Sequence, residues 1–183
     1  VESSATLKMS LNFQLSILGD FTGNGTINVP QGTIGFVGSN VQNVTLNSNF
    51  VTFNNILIGN TGGSNVNLTN GSYLLNNTLF PNSGILNIDG TADFIINSTS
   101  ATTSGRVDEM SPNFSMTGNI DVRRFLPAGV SGNRNMSSPV LGGVLSQWDA
   151  DIEISGTGFP DGCAYGDDGC YFSVKQYHHL AYV

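Results

Sequence analysis

The stretch between Leu15 and about Asn119 decides the fold, and it begins LSILGDFTGNGTINVPQGTIGF over residues 15–36. Short apolar runs such as Leu15-Ser16-Ile17 and Thr26-Ile27-Asn28-Val29 alternate with small polar residues, and Asn, Gly, Thr and Ser separate one run from the next. This alternation is the period-2 signature of β-strands, and the runs recur every ~8–12 residues with turn residues between them. The sequence therefore predicts an all-β chain.

The regular recurrence predicts a β-solenoid (β-helix), a coil of short strands stacked rung on rung. One turn of two or three such strands takes ~20–28 residues, so about five turns fit between residues 5 and 120. Because a single rung cannot bury its own apolar face, stability comes from the neighbouring rungs. The side chains predicted to point inward are Leu15, Ile17, Ile27, Val29, Ile34, Phe36, Val44, Leu46, Phe53, Ile56, Ile58, Leu68, Leu75, Leu86, Ile88, Phe94 and Ile96.

The character of the chain changes near residue 105, and three segments are predicted. They are a β-solenoid at 1–120, a junction at 121–140 and a small irregular β module at 141–183 that caps the solenoid or links it to a next unit. The chain does not begin with Met, and its last residues resemble the middle of a strand. We therefore expect this chain to be a segment of a larger protein that continues beyond Val183.

Charged residues make up only 10% of the chain, against a usual ~25%. Up to Ile88 the charged side chains are Glu2, Lys8 and Asp20, whereas 18 of the 22 asparagines precede residue 100. Asparagine suits turns, and it can stack in ladders along a repeat axis, where like charges would repel. The net charge of −7 argues against nucleic acid or an anionic membrane surface as a partner, and no apolar run is long enough to span a bilayer.

Charges of both signs gather after Gly105, in Arg106, Asp108, Glu109, Asp121, Arg123, Arg124 and Arg134. They form either a contact patch for an anion or a glycan, or a boundary at which side chains pair across the junction. We favour the boundary.

Two cysteines, Cys163 and Cys170, are separated by six residues in a glycine-rich loop. We favour a disulfide between them, which implies an oxidising, extracellular setting. The rival hypothesis is a pair of metal thiolates, but it lacks the second pair of ligands that a closed zinc site needs. His178 and His179 are adjacent, so on a strand they point to opposite faces, and we favour a structural role for them.

No cofactor is expected, apart from calcium at one of two acidic groups whose carboxylates suit a hard cation. Asp149, Asp151 and Glu153 share one face of an alternating strand, and Asp161, Asp167 and Asp168 lie in the following loop. The alternative, which we favour for both groups, is a solvated acidic surface.

Two stretches carry a resemblance to a known family. Gly19 to Thr26 and Phe53 to Gly63 resemble the repetitive β-solenoids of very large secreted surface proteins of Bacteroidetes. More specific is Arg123-Arg124-Phe125-Leu126-Pro127-Ala128-Gly129 with Arg134-Asn135-Met136-Ser137-Ser138-Pro139-Val140, which is similar to the junction that follows the solenoid in those proteins. Gln147-Trp148 and the later strands also fit the family's downstream module. The chain departs at Gly132-Asn133-Arg134, where the family often has an aromatic residue.

The resemblance implies export by the type IX secretion system, with a sorting domain beyond Val183, and a role as an adhesin or related surface protein. No catalytic residue carries over, because the family has no motif that defines one. We therefore predict a non-enzymatic extracellular segment that acts as a rigid spacer or adhesin. Its expected partners are further copies of itself, neighbouring domains of the same large protein, or glycans and surfaces. Open terminal rungs also allow a filament.

The alternative function is a carbohydrate-binding or carbohydrate-cleaving β-helix, with Trp148, Tyr165, Tyr171 and the acidic strand as its site. A catalytic β-helix would place charged groups on the solenoid wall, and the wall from 21 to 88 has none. A phage or virus fibre fits the composition but not the junction.

Eight Asn-x-Ser/Thr sequons begin at Asn24, Asn43, Asn67, Asn70, Asn76, Asn97, Asn113 and Asn135. They mark either a glycosylated surface or chance matches in a chain rich in these residues.

Overall fold

The structure is a computed structural model, and it describes residues 1–2, 5–9, 12–47 and 50–125. Within these ranges every regular element is a β-strand, and the prediction of an all-β chain is confirmed. The strands are β1 Thr6–Lys8, β2 Gln14–Ile17, β3 Phe21–Gly23, β4 Thr26–Phe36, β5 Gln42–Leu46, β6 Phe50–Gly59, β7 Asn65–Thr69, β8 Gly71–Ile88, β9 Ala92–Ile96, β10 Arg106–Val107, β11 Phe114–Thr117 and β12 Ile120–Val122.

All pairing between these strands is parallel, and it builds a β-solenoid of about five turns with three faces. The first face stacks β1, the start of β4, the start of β6, the start of β8, β9 and β12. The second stacks β2, the ends of β4 and β6, the middle of β8 and β10. The third stacks β3, β5, β7, the end of β8 and β11. The predicted coil of stacked rungs is confirmed.

Three strands bend round corners of the coil without a break. The pairing of β4 with β6 shifts register between Val29 and Thr33, where Pro30-Gln31-Gly32 forms a corner. In β8, Gly84 has a φ of 92°, and a Cβ there would lie 3.0 Å from the backbone oxygens of Asn60 and Ser64. A larger residue would be strained at that φ and crowded by those oxygens, so glycine is favoured at the corner between the second and third faces in this turn.

The core is a column of inward side chains that runs along the coil axis. Fifteen of the seventeen predicted inward residues are buried, and Leu15 and Ile17 are half-buried because they belong to the first turn. Tyr73, Val51, Val66, Leu79 and Phe114 join the same core. The ring of Phe53 stacks on that of Tyr73 with centroids 6.4 Å apart and planes 8° from parallel. The predicted boundaries at 121 and 141 stay predictions, since the described residues end at 125.

Candidate functional site

The outer wall of the third face carries a ladder of polar side chains that runs through all five turns; we call it the amide ladder. Asn67 Nδ2 donates a hydrogen bond to Asn43 Oδ1 at 3.0 Å, and Asn87 Nδ2 donates to Asn67 Oδ1 at 3.1 Å. At the first turn Asn43 Nδ2 donates to Asp20 Oδ1 at 3.4 Å. At the fifth turn the Thr117 hydroxyl donates to Asn87 Oδ1 at 2.7 Å. The prediction that asparagines stack along the repeat axis is confirmed.

A second row of asparagines occupies the corner between the third and first faces. Asn47 Nδ2 donates to Asn24 Oδ1, and Asn70 Nδ2 donates to Asn47 Oδ1 at 3.4 Å. Asn70 has a φ of 56°, the left-handed conformation that asparagine tolerates well. The same residue type therefore makes the turn and bonds the next turn.

Six of the sequon asparagines belong to such rows. Four of the six lie in the two rows above. The other two bond to each other, since the Asn97 amide donates to Asn76 Oδ1 at 2.7 Å. By contrast, Asn113 lies exposed on the turn before β11. Asn135 lies outside the described residues. The abundance of asparagine thus has a structural explanation that is independent of glycosylation.

A buried polar group lies at the corner between the second and third faces, and the sequence reasoning missed it. The Gln42 side chain is fully buried; its Nε2 donates to the backbone oxygens of Ile17 at 3.0 Å and Gly19 at 2.8 Å. Its Oε1 accepts from Gly38 N at 2.9 Å and from Asn60 Nδ2 at 3.1 Å. Every polar group of Gln42 therefore has a partner, which is the condition for burying an amide at low cost.

Two of the described charged side chains after residue 105 form an ion pair, and a third bonds to the backbone. Arg123 Nε donates to Asp121 Oδ2 at 3.2 Å, with both side chains about half exposed. Arg124 Nη1 donates to the backbone oxygen of Gly105 at 3.1 Å, which ties the chain after β12 to the preceding turn. Arg106, Asp108 and Glu109 form no ion pair within the described residues, so the boundary hypothesis stays a prediction. Arg134 lies outside the described residues.

Two titratable side chains are perturbed by their surroundings. Burial raises the pKa of Tyr73 far above its usual range. The single proton of its hydroxyl can be donated to the backbone oxygen of Val44 at 2.7 Å or to that of Thr69 at 3.0 Å. The hydroxyl of Thr91 donates to Asp89 and lowers the pKa of that carboxyl. Tyr73 is enclosed in the core and Asp89 closes a turn, so both contacts fit structural roles.

The other predicted site residues lie outside the described part of the chain. They are Cys163 and Cys170 of the disulfide, the calcium candidates Asp149, Asp151, Glu153, Asp161, Asp167 and Asp168, the glycan candidates Trp148, Tyr165 and Tyr171, and the pair His178 and His179. Among the residues that the structure describes, no group of three or more His, Cys, Asp or Glu side chains is placed to hold a metal ion. The calcium, disulfide and glycan predictions therefore remain untested.

The fold and these polar rows define the class of the described segment as a parallel β-solenoid with asparagine ladders. Comparison of the chain with protein-family models, with curated proteins and with solved structures found no match. In residues 1–2, 5–9, 12–47 and 50–125 there is no helix of the length and apolarity needed to cross a membrane.

Proposed function

We propose that the chain is an extracellular structural and adhesive segment of a secreted bacterial cell-surface protein, in which the solenoid acts as a rigid spacer. The observation that carries this proposal is the amide ladder, which runs through all five turns beside a continuous apolar core. Each turn is connected to the next by backbone hydrogen bonds, by apolar packing in the core and by side-chain hydrogen bonds of the amide ladder. A rod bonded in three ways resists bending between its turns.

The outer walls support the same role. No charged side chain occurs between residues 21 and 88, and the asparagines of the amide ladder bond to one another. A wall of this kind offers surface area and regular spacing, whereas general acid–base chemistry needs titratable groups within reach of a substrate. The proposal therefore assigns no catalytic step to the solenoid.

Secretion to the cell surface rests on the resemblance at residues 123–140. If the type IX system exports the parent protein, an epitope on the intact parent is detected on living cells and disappears from the surface when that system is deleted. Surface display that survives the deletion would remove this part of the proposal.

The spacer role is tested by measuring how far apart two turns stay in solution. Spin labels are introduced at positions 6 and 93 on side chains other than cysteine. Thr6 and Asp93 lie in the same outward column of the first face, four strand spacings apart, or about 19 Å along the axis. In a spin-diluted sample of the full chain, a rigid spacer gives one narrow distance distribution. A broad distribution in buffer, like that in strong denaturant, would contradict the proposal.

The carbohydrate alternative is tested on the same full chain with a glycan panel, with and without calcium. Binding that needs calcium and is lost on Asp151→Asn would replace the spacer proposal with a glycan-binding function. Absence of binding to every glycan leaves the spacer as the better account.

A further inference from the structure

The chain contains two asparagine–glycine pairs, Asn24-Gly25 and Asn70-Gly71, and both lie at the corner between the third and first faces. Asn24, Asn47 and Asn70 form the corner row, in which the Asn47 amide donates to Asn24 and the Asn70 amide donates to Asn47. Asparagine followed by glycine is the pair most prone to lose its side-chain amide, because glycine has no Cβ to hinder attack by its own backbone nitrogen. The reactivity of the two pairs can therefore be compared at one corner of the coil.

The packing around Gly25 favours glycine directly after Asn24. A Cβ at Gly25 would lie 2.2 Å from the backbone oxygen of Glu2 and 2.3 Å from that of Ala5. Both distances are far shorter than a van der Waals contact, and a backbone oxygen cannot rotate away as the end of a side chain can. The fold therefore maintains a reactive asparagine–glycine pair at this position.

The reaction replaces the asparagine amide by an acid, and its only co-reactant is water. The backbone nitrogen of Gly25 loses its proton to the solvent and attacks Cγ of Asn24. This forms a cyclic succinimide, while the Cγ–Nδ2 bond breaks and ammonia leaves. Water then opens the ring at either of its two carbonyl carbons, which restores the Gly25 N–H and gives aspartate or isoaspartate. Either product adds one negative charge to the chain.

The surroundings of Asn24 leave the reacting groups available. Gly25 lies between β3 and β4, and its N–H makes no hydrogen bond to a described residue, so the attacking nitrogen is not held in the sheet. Asn24 is exposed, and its Nδ2, the nitrogen that leaves, has no partner among the described residues. Negative charge develops on Oδ1 during the attack, and this atom already accepts a hydrogen bond from Asn47 Nδ2.

The surroundings of Asn70 hold the corresponding groups in place. The Asn70 N–H donates to Thr91 Oγ1 at 3.1 Å, and Asn70 Nδ2 donates to Asn47 Oδ1 at 3.4 Å. Gly71 is the first residue of β8 and pairs with Ala92 of β9. The nitrogen that would attack belongs to a paired strand, and the nitrogen that would leave bonds one turn to the next. Reaction at Asn70 therefore requires this part of the coil to open first.

The corner row accommodates a carboxylate at position 24 but not at position 70. Asn24 contributes only an acceptor to the row, and an aspartate there would still accept from Asn47 in a charge-assisted bond. The amide ladder already has this arrangement, since Asp20 Oδ1 accepts from Asn43 N at 2.7 Å and from Asn43 Nδ2 at 3.4 Å. An aspartate at position 70 would instead set a carboxylate against Asn47 Oδ1, so that two acceptors would face each other.

We propose that Asn24-Gly25 is a site of spontaneous deamidation, at which the folded coil gains a carboxylate that stays bonded in the corner row, whereas Asn70-Gly71 is protected by the fold. The modification places a negative charge on a part of the chain that has none between residues 21 and 88. It needs no enzyme, and it does not depend on the spacer function.

Incubation of the full 183-residue chain in mildly alkaline buffer tests the site. Peptide mapping with electron-transfer fragmentation locates each conversion and distinguishes aspartate from isoaspartate. In the folded chain Asn24 should react at least about tenfold faster than Asn70, because Asn70 reacts only after local opening. In guanidinium chloride the two rates should converge, because the unfolded pairs have the same chemistry. Asn24→Gln is the control: it should abolish the fast conversion and leave the rate at Asn70 unchanged.

Two matched variants test whether the row keeps the product. Asn24→Asp and Asn70→Asp each replace one amide by a carboxylate in the corner row and change the net charge equally. Asn24→Asp is expected to keep the urea midpoint of the wild-type chain or raise it, whereas Asn70→Asp is expected to lower it. Circular dichroism follows both transitions.

Three results would overturn the inference. They are a folded chain in which Asn24 stays intact while Asn70 reacts, equal rates at the two sites before unfolding, and a urea midpoint that falls as far in Asn24→Asp as in Asn70→Asp. None of them would affect the spacer function, which the spin-label distance tests separately.

Discussion

Asn67 donates its side-chain amide to the Asn43 side chain at 3.0 Å, although the two residues lie 24 positions apart in the chain. The same bond recurs one turn later between Asn87 and Asn67. Because side chains alternate between wall and core, a slip of one residue in either strand would place an amide in the core and an apolar residue on the wall. The ladder therefore fixes the register between turns as well as contributing to their stability.

The middle of this ladder should be measurable by mutation. Asn67→Ala removes two side-chain hydrogen bonds that are partly screened by solvent, and we expect the free energy of unfolding to fall by about 1–2 kcal/mol. Urea denaturation followed by circular dichroism gives this value. The control is Asn28→Ala on the first face, where the side chain is exposed and makes no hydrogen bond to a described residue. Equal losses for the two variants would show that the ladder bonds contribute nothing.

The buried Gln42 should be far less tolerant. Gln42→Leu keeps the volume but leaves Gly38 N and the Gly19 carbonyl without a hydrogen-bond partner among the described residues. It also removes one of the two hydrogen bonds made by Asn60 Nδ2 and one of the two accepted by the Ile17 carbonyl. Since each orphaned buried group costs ~1–3 kcal/mol, we expect a loss of at least about 3 kcal/mol in the free energy of unfolding. Gln14→Leu is the matched control, because Gln14 is exposed on β2 and bonds only to Ser16. A loss for Gln42→Leu as small as that of its control would contradict the assignment.

Much of the fold follows from the sequence because one rule, the alternation of apolar and polar residues, operates in every rung. It places Ile34, Val44 and Phe94 in the core and predicts that neighbouring turns stack. The same rule fails at Gln42, which occupies an inward position two residues before Val44 but is polar. The sequence did indicate an inward position for Gln42, because inward and outward residues alternate along β5. Its hydrogen-bond partners, however, come from three other segments that only the folded coil brings together.

The position of Lys8 and Asp121 in one column of the first face also could not be read from the sequence. Lys8 and Asp121 are separated by more than a hundred residues, and they share a column only because five consecutive registers have the values that the structure gives them. An error of one residue in any register would move Asp121 to the inward side. Composition identifies the charges, whereas their relationship is a property of the coil.

Tyr73 should make stability depend on pH in the alkaline range. Burial raises its pKa in the folded chain above that of an exposed tyrosine, so folding favours the neutral phenol. Its contribution is complete below the unfolded value of ~10 and is lost as the pH rises towards the folded value. A spectrophotometric titration should show a tyrosine ionisation that occurs only as the chain unfolds. Tyr73→Phe should abolish this late step, and its persistence in that variant would assign it elsewhere.

Two phenylalanines of β6 provide the sharpest test of the coil. Phe53 is 1% exposed and stacks on Tyr73, whereas Phe50, three residues earlier, is 63% exposed on the outer wall. We expect Phe53→Ala to lower the free energy of unfolding by about 3–5 kcal/mol, through lost burial and the cavity it leaves, and Phe50→Ala to change it by less than ~0.5 kcal/mol. Urea denaturation of both variants measures the difference. The opposite order would mean that β6 has its other face towards the core, and every column traced through it, including the one that ends at Lys8 and Asp121, would have to be redrawn.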